Sequence, residues 1–177
     1  MKKISILLLT LSLVFSSCSS SDDNGGGDSS FAMTARINGE VFEANNPFGT
    51  NEFSETNIWS YYPIEDYVML QGRAGGAFGM PEINLWLKRS QMVVGTYTLA
   101  PETFDTPPSH YIDLIDNRTV ETEKTKSGTI VITEVNTSTK IVKGTFQFTA
   151  TDGDQDDPAS VVNATVTNGT FRYKYEN

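Results

Sequence analysis

Gly128-Thr129-Ile130-Val131-Ile132-Thr133-Glu134-Val135-Asn136-Thr137-Ser138-Thr139-Lys140-Ile141-Val142-Lys143-Gly144-Thr145-Phe146-Gln147-Phe148-Thr149-Ala150 is the stretch on which the fold turns. Two runs rich in β-branched and aromatic residues, Thr129 to Val135 and Lys140 to Ala150, flank the polar tetrad Asn136-Thr137-Ser138-Thr139. The runs suit a pleated, half-buried surface, and the tetrad has the composition of a turn. Side chains alternate across a strand, so Phe146 and Phe148 share one face, expected in the core, and Gln147 points away. The same alternation puts Phe171 and Tyr173 inside and Arg172 outside.

Similar runs recur outward from this hairpin. Phe31 to Ile37 and Glu40 to Ala44 flank Asn38-Gly39, the strongest short hairpin signal. Ile58 to Tyr62 and Tyr67 to Ala74 flank Pro63-Ile64-Glu65-Asp66. Glu82 to Lys88 alternates cleanly, with Ile83, Leu85 and Leu87 on one face and Asn84 and Trp86 on the other. Tyr111 to Ile115 is a further candidate, and Val161 to Thr167 and Thr170 to Tyr175 close the chain around an Asn168-Gly169 turn or bulge. Four segments, starting at Gly95, Gly128, Gly144 and Gly169, read Gly-Thr-apolar-x-apolar. Each is read as a strand opening, with glycine permitting the turn or bulge before the strand. About ten short strands, tight turns and no helix-period stripe imply an all-β domain. The expected form is a single antiparallel β-sandwich or flattened barrel, with mostly sequential meander connections.

The first thirty residues carry an address. Met1-Lys2-Lys3 is a positive start, Ile4 to Phe15 is almost wholly apolar, and Ser16-Ser17-Cys18 ends the run. A membrane-crossing helix takes about 20 apolar residues, so the run fits a signal peptide, with cleavage leaving Cys18 as the new N-terminus. The small residues before this one cysteine resemble the lipobox of bacterial lipoproteins, which implies acylation at Cys18 and anchoring in the membrane through lipid. The Ser19-Ser20-Ser21-Asp22-Asp23 tract behind it resembles the export tag of surface lipoproteins of Bacteroidota, with Asp22 and Asp23 as the acidic signal. The expected organisation is a signal peptide at 1–17, a lipidated cysteine and Ser/Gly/Asp tether at 18–30, and one all-β domain at 31–177. The expected location is the outer membrane, facing the cell exterior.

Together, the lipobox, Thr34-Ala35-Arg36-Ile37-Asn38-Gly39, Gly95-Thr96-Tyr97 and the run from Gly128 to Tyr175 resemble a family of flavobacterial lipoprotein domains of unknown function. That resemblance implies an address and a fold and carries no activity.

Charge narrows the partners. The chain has 13 basic and 22 acidic residues, a formal charge of −9, and Lys2 and Lys3 of the signal are among the few cations. An acidic body with no basic stripe argues against nucleic acid, whose binding needs phosphates neutralised. One cysteine permits no internal disulfide, so the core alone must hold the fold.

Chemistry is sparse. His110 is the one histidine and reads as a solvated loop residue behind Pro107-Pro108-Ser109. No Gly-x-Ser-x-Gly elbow and no zinc-ligand set is present, and no carboxylate spacing selects a glycosidase pair. The expectation is a non-catalytic domain that binds a protein or glycan partner or joins an envelope assembly. Two features are candidate sites. Asp152, Asp154, Asp156 and Asp157 alternate along an acidic loop in a way that suits calcium, which takes 6 to 8 oxygen ligands. Trp59, Tyr61, Tyr62 and Trp86 are a candidate aromatic platform for a glycan. A lipocalin-like barrel holding a small apolar ligand is the remaining alternative.

Overall fold

The computed structural model of the chain describes residues 31–45, 67–74, 81–99, 110–115, 122–154 and 157–175. They form nine antiparallel strands: β1 (Phe31–Ile37), β2 (Glu40–Asn45), β3 (Tyr67–Arg73), β4 (Glu82–Lys88), β5 (Gly95–Leu99), β6 (His110–Ile115), β7 (Thr122–Asn136), β8 (Ile141–Thr151) and β9 (Ala164–Lys174). A single 3₁₀ turn, Arg89–Gln91, follows β4. The strands make one sheet in the order β2-β1-β9-β8-β7-β6-β4-β3. The sheet curls into a half-barrel, and its two ends meet at a lone bridge between Ala44 and Ala74.

Among the described strands, five consecutive pairs are neighbours in the sheet, as a meander requires, but β1 pairs with β9, so the first described strand lies beside the last. The 15-residue β7 serves two neighbours on one side: its first residues pair with β6 and Gly128 to Ile132 pair with β5. β5 therefore stands off the main path. The two closing runs expected around Asn168-Gly169 are one continuous β9 with a bulge, because β8 and β1 hold it on both sides.

The core lies inside the curl. Phe146 and Phe148 of β8 and Phe171 and Tyr173 of β9 are buried, whereas Gln147 and Arg172 are exposed, as the alternation requires. Met33, Phe42, Leu70, Ile83, Leu85, Leu87, Ile112, Leu114, Ile130 and Ile132 fill the rest.

Gly95 opens β5 as its pattern suggested, but the other three glycines of the repeat have a different basis. Gly128, Gly144 and Gly169 sit within strands, on their inward faces, each opposite an aromatic residue of the next strand: Phe148, Phe171 and Phe146. A Cβ on Gly144 would lie 2.1 Å from the Val131 carbonyl oxygen and 2.5 Å from Phe171 Cζ. A Cβ on Gly169 would lie 2.5 Å from Phe146 Cδ2. Gly144 and Gly169 make room for rings and Gly128 for the Gln147–Phe148 backbone, and the third and fifth residues of each segment do face the core.

His110 is also corrected. It opens β6 opposite Leu87, points inward and is 1% exposed. Its Nδ1 accepts the Lys88 backbone N–H at 2.9 Å, and its ring meets the Tyr97 ring edge-on at 4.2 Å. Strand pairing, which a Pro-Pro-Ser prefix does not reveal, takes it out of solvent.

Candidate functional site

The outward faces of the sheet differ along its length. On β3, β4 and β6 this face is a second buried layer. Tyr67, Met69, Trp86 and Tyr111 form its apolar half, with Trp86 stacked on Tyr111 at 5.4 Å and 9° and Tyr67 edge-on to Tyr111. Gln71, Arg73, Glu82, Asn84 and Asp113 form its polar half, brought together by the register Gln71–Asn84–Asp113 and Arg73–Glu82. Glu82 accepts from Gln71 Nε2 at 2.5 Å, from Asn84 Nδ2 at 3.0 Å and from Arg73 Nε. Asp113 accepts from Asn84 Nδ2 at 2.8 Å and from the Trp86 indole at 2.7 Å. Gln71, Arg73, Asn84 and Trp86 each aim a donor at one of two carboxylates, so the charges are held by hydrogen bonds as well as by Arg73.

This is where Trp86 of the expected platform lies: packed in, with its ring against Tyr111 and 8% exposed. Trp59, Tyr61 and Tyr62 lie outside the described residues, as do Cys18, Asp22 and Asp23.

Of the acidic loop, Asp152, Asp154 and Asp157 are described and exposed, and Asp156 lies outside the described residues. Among the described residues no group of three or more His, Cys, Asp or Glu comes together to hold a metal. Asp157 Oδ1 accepts the Ala159 N–H at 2.8 Å. The Lys126 ammonium donates to the Asp157 and Ser160 carbonyls at 3.0 and 2.7 Å. The loop thus already folds around a cation supplied by the chain itself.

The face of β7, β8 and β9 is different: it is open. A groove of about 510 Å³ crosses it, lined by Thr129, Val131, Thr145, Gln147, Asn168 and Thr170 over the Phe146 and Gly169 backbone. Register puts Thr170, Thr145 and Val131 in one row across three strands, with Gln147 and Thr129 in the next. The β9 bulge beside Asn168, whose φ is 53°, brings that amide to the groove rim. Thr170 shares a 2.7 Å hydrogen bond with Thr34. Among the described residues no charged side chain lines the groove. The sequence signal for it was the threonine set itself. Outward β-branched residues are ordinary in strands, so threonines alone did not mark a site.

The space inside the curl is occupied by core side chains, whereas the groove on the outside has room for a ligand. No curated protein and no solved structure matches this chain. A family model does match, over residues 75–173, which takes in β4 to β9 and every residue lining the groove. With more than half of its length in that match, the chain belongs to the family described as a domain of unknown function, DUF6252.

Proposed function

We propose that the chain is a lipid-anchored lipoprotein of the bacterial outer membrane, displayed on the cell surface, of the flavobacterial type that its sequence resembles. Its β domain is a non-catalytic binding module that takes a neutral glycan chain in the groove across β7, β8 and β9.

The groove is the observation that carries this reading. Its volume of about 510 Å³ falls within the roughly 300–1,000 Å³ of small-ligand sites. Its lining offers hydroxyls from Thr129, Thr145 and Thr170, amides from Gln147 and Asn168, and methyl surface from Val131 and the threonines. Sugars present the same mixture of hydroxyl edges and C–H faces. With no charge in the lining and a net charge of −9 on the chain, polyanions are disfavoured. The Cys18 signal supports the anchor, and Asp22 and Asp23 support display. A tether of Ser, Gly and Asp about a dozen residues long would hold the domain roughly 20 Å from the membrane.

Calorimetry of the purified full chain against neutral and anionic envelope polysaccharides tests the ligand. Neutral glycans should bind, and Gln147→Ala or Thr145→Lys should weaken binding at least tenfold while leaving the melting temperature near wild type. Equal binding of anionic glycans, or none of either, would count against the groove. The address is tested separately. Cys18→Ser should block incorporation of a labelled fatty acid, and Asp22→Ala with Asp23→Ala should protect the lipidated protein from protease on intact cells.

A further inference from the structure

We infer that the end of the domain beside its tether docks on the phosphate-bearing headgroups of the membrane that holds the chain's own lipid, so that the β8–β9 loop stands outermost. The inference rests on the anchor proposed above at Cys18 and adds to it a charged contact and an orientation. Strands β8 and β9 run antiparallel, and their two ends differ in charge. At one end Lys143 pairs with Arg172 and Ile141 with Lys174, and Lys140 directly precedes β8. The Tyr175 N–H donates to the Lys140 carbonyl at 2.8 Å, and the Lys140 ammonium lies 5.9 Å from the Tyr175 ring. Arg172 and Lys174 are exposed, and Lys140 and Lys143 are half-buried. Among the described residues, the acids that strand pairing brings nearest are Glu134, which pairs with Lys143 at 2.7 Å, and Glu43, two strands away on β2. Four cations against two acids leave this end basic. At the other end, the loop between the same two strands carries Asp152, Asp154 and Asp157, all exposed.

Where the chain leaves the domain decides which end meets the membrane. Met33 pairs with Phe171, so the chain before Phe31 departs beside Arg172 and Lys174. About a dozen Ser, Gly and Asp residues link that point to Cys18, a mean span of roughly 20 Å. The net charge of −9 repels the chain as a whole from an anionic surface. The ends of the 11-residue β8, however, lie about 35 Å apart, and physiological salt screens such fields within about 8 Å. The far acids therefore do not cancel the near cations. Each Lys or Arg close to an anionic leaflet adds attraction. The tether keeps these four at high local concentration, so a weak contact suffices. An acidic protein in solution offers the same charge without the anchor beside it.

Cys18 is the chain's one cysteine, so once it is acylated an introduced thiol is labelled alone. A dye on full-length Ser138→Cys, in the exposed turn before Lys140, reports the basic end. A dye on Ala159→Cys, exposed in the far loop, reports the other. Each is reconstituted into phosphatidylcholine vesicles with a headgroup quencher, with and without phosphatidylglycerol. The dye at 138 should be quenched about twofold more with phosphatidylglycerol, and the dye at 159 equally in both. High salt should abolish the difference, as should Arg172→Glu with Lys174→Glu, whereas Asp152→Lys should leave it. Equal quenching at 138 in the two kinds of vesicle would overturn the proposal and leave the basic end to another occupant. So would a difference that survives Arg172→Glu with Lys174→Glu. Flotation with phosphatidylcholine vesicles alone reports the anchor separately: chain that does not float carries no lipid at Cys18, and the docking falls with the anchor.

Discussion

Gly144 and Gly169 each give up a side chain so that a ring on the neighbouring strand can approach the backbone, and Gly128 does so to admit the Gln147 carbonyl and Phe148 Cβ. Phe146 and Phe171 thereby come within 6.4 Å of each other in the middle of the core. A methyl at Gly144 has nowhere to go, because one of its contacts would be the Val131 carbonyl and backbone cannot swing aside. Gly144→Ala should cost about 3 kcal/mol, at the upper end of overpacking. Phe171→Ala should cost roughly 3–5 kcal/mol through the cavity that it leaves. Arg172→Ala, one residue on and exposed, should stay within about 0.5 kcal/mol. Urea denaturation of the three variants checks the order. A large loss at Arg172 with little at Phe171 would mean that β9 is paired one residue out of register. The inward set Phe146, Phe148, Phe171 and Tyr173 was legible from alternation alone. The reason for the glycines was not, because a clash exists only between strands and leaves no trace in either strand by itself.

At the scale of elements, the described strands use the dipeptide Asn-Gly at two places for different ends. Asn38 and Gly39 both have positive φ, 51° and 89°, which is the demand of a two-residue hairpin turn. At Asn168-Gly169 only the asparagine does, with φ 53°, which makes a bulge and lets β9 run on. The dipeptide reads the same in sequence. Pairing with β8 on one side and β1 on the other decides its form. The β3–β4–β6 layer shows the same dependence. Asn84 and Trp86 were correctly set on the face opposite Leu85, but their shared acceptor Asp113 is 27 residues beyond Trp86 and reached only through the β4–β6 register. Asp113→Ala should cost about 2–4 kcal/mol, since it leaves the Trp86 indole and one Asn84 donor without their acceptor. Asp113→Asn, which keeps an acceptor oxygen, should cost less. Equal thermal midpoints for Asp113→Ala and the wild type would show that the layer contributes nothing to stability.

Across the whole molecule, a side-chain hydrogen bond joins the two arms of the curl beside the Ala44–Ala74 bridge: the Tyr173 hydroxyl of β9 donates to the Gln71 carbonyl of β3 at 2.8 Å. The hydroxyl is buried, and burial pushes its ionisation well above the tyrosine value of 10.0. The unfolded chain therefore loses this proton from about pH 10 while the folded chain keeps it. Stability from this group is complete below that pH and falls above it, by about 1.4 kcal/mol per pH unit. Tyr173→Phe should lose about 1 kcal/mol near neutral pH and flatten the alkaline decline. Denaturation curves at several pH values from 8 to 12 check this, and equal alkaline slopes would remove the assigned cause. The sequence by itself determined the all-β class, most strand positions, the inward and outward residues of β4, β8 and β9, and the Asn38-Gly39 hairpin. These follow from local chemistry: side-chain alternation, β-branching and turn residues act within a few neighbours. Only the tertiary structure decided that β1 closes against β9, that β5 and β6 share one side of β7, that His110 is buried, and where the outward face is covered and where it is grooved. Those depend on which strands lie side by side, and that is settled by contacts between residues far apart in the chain.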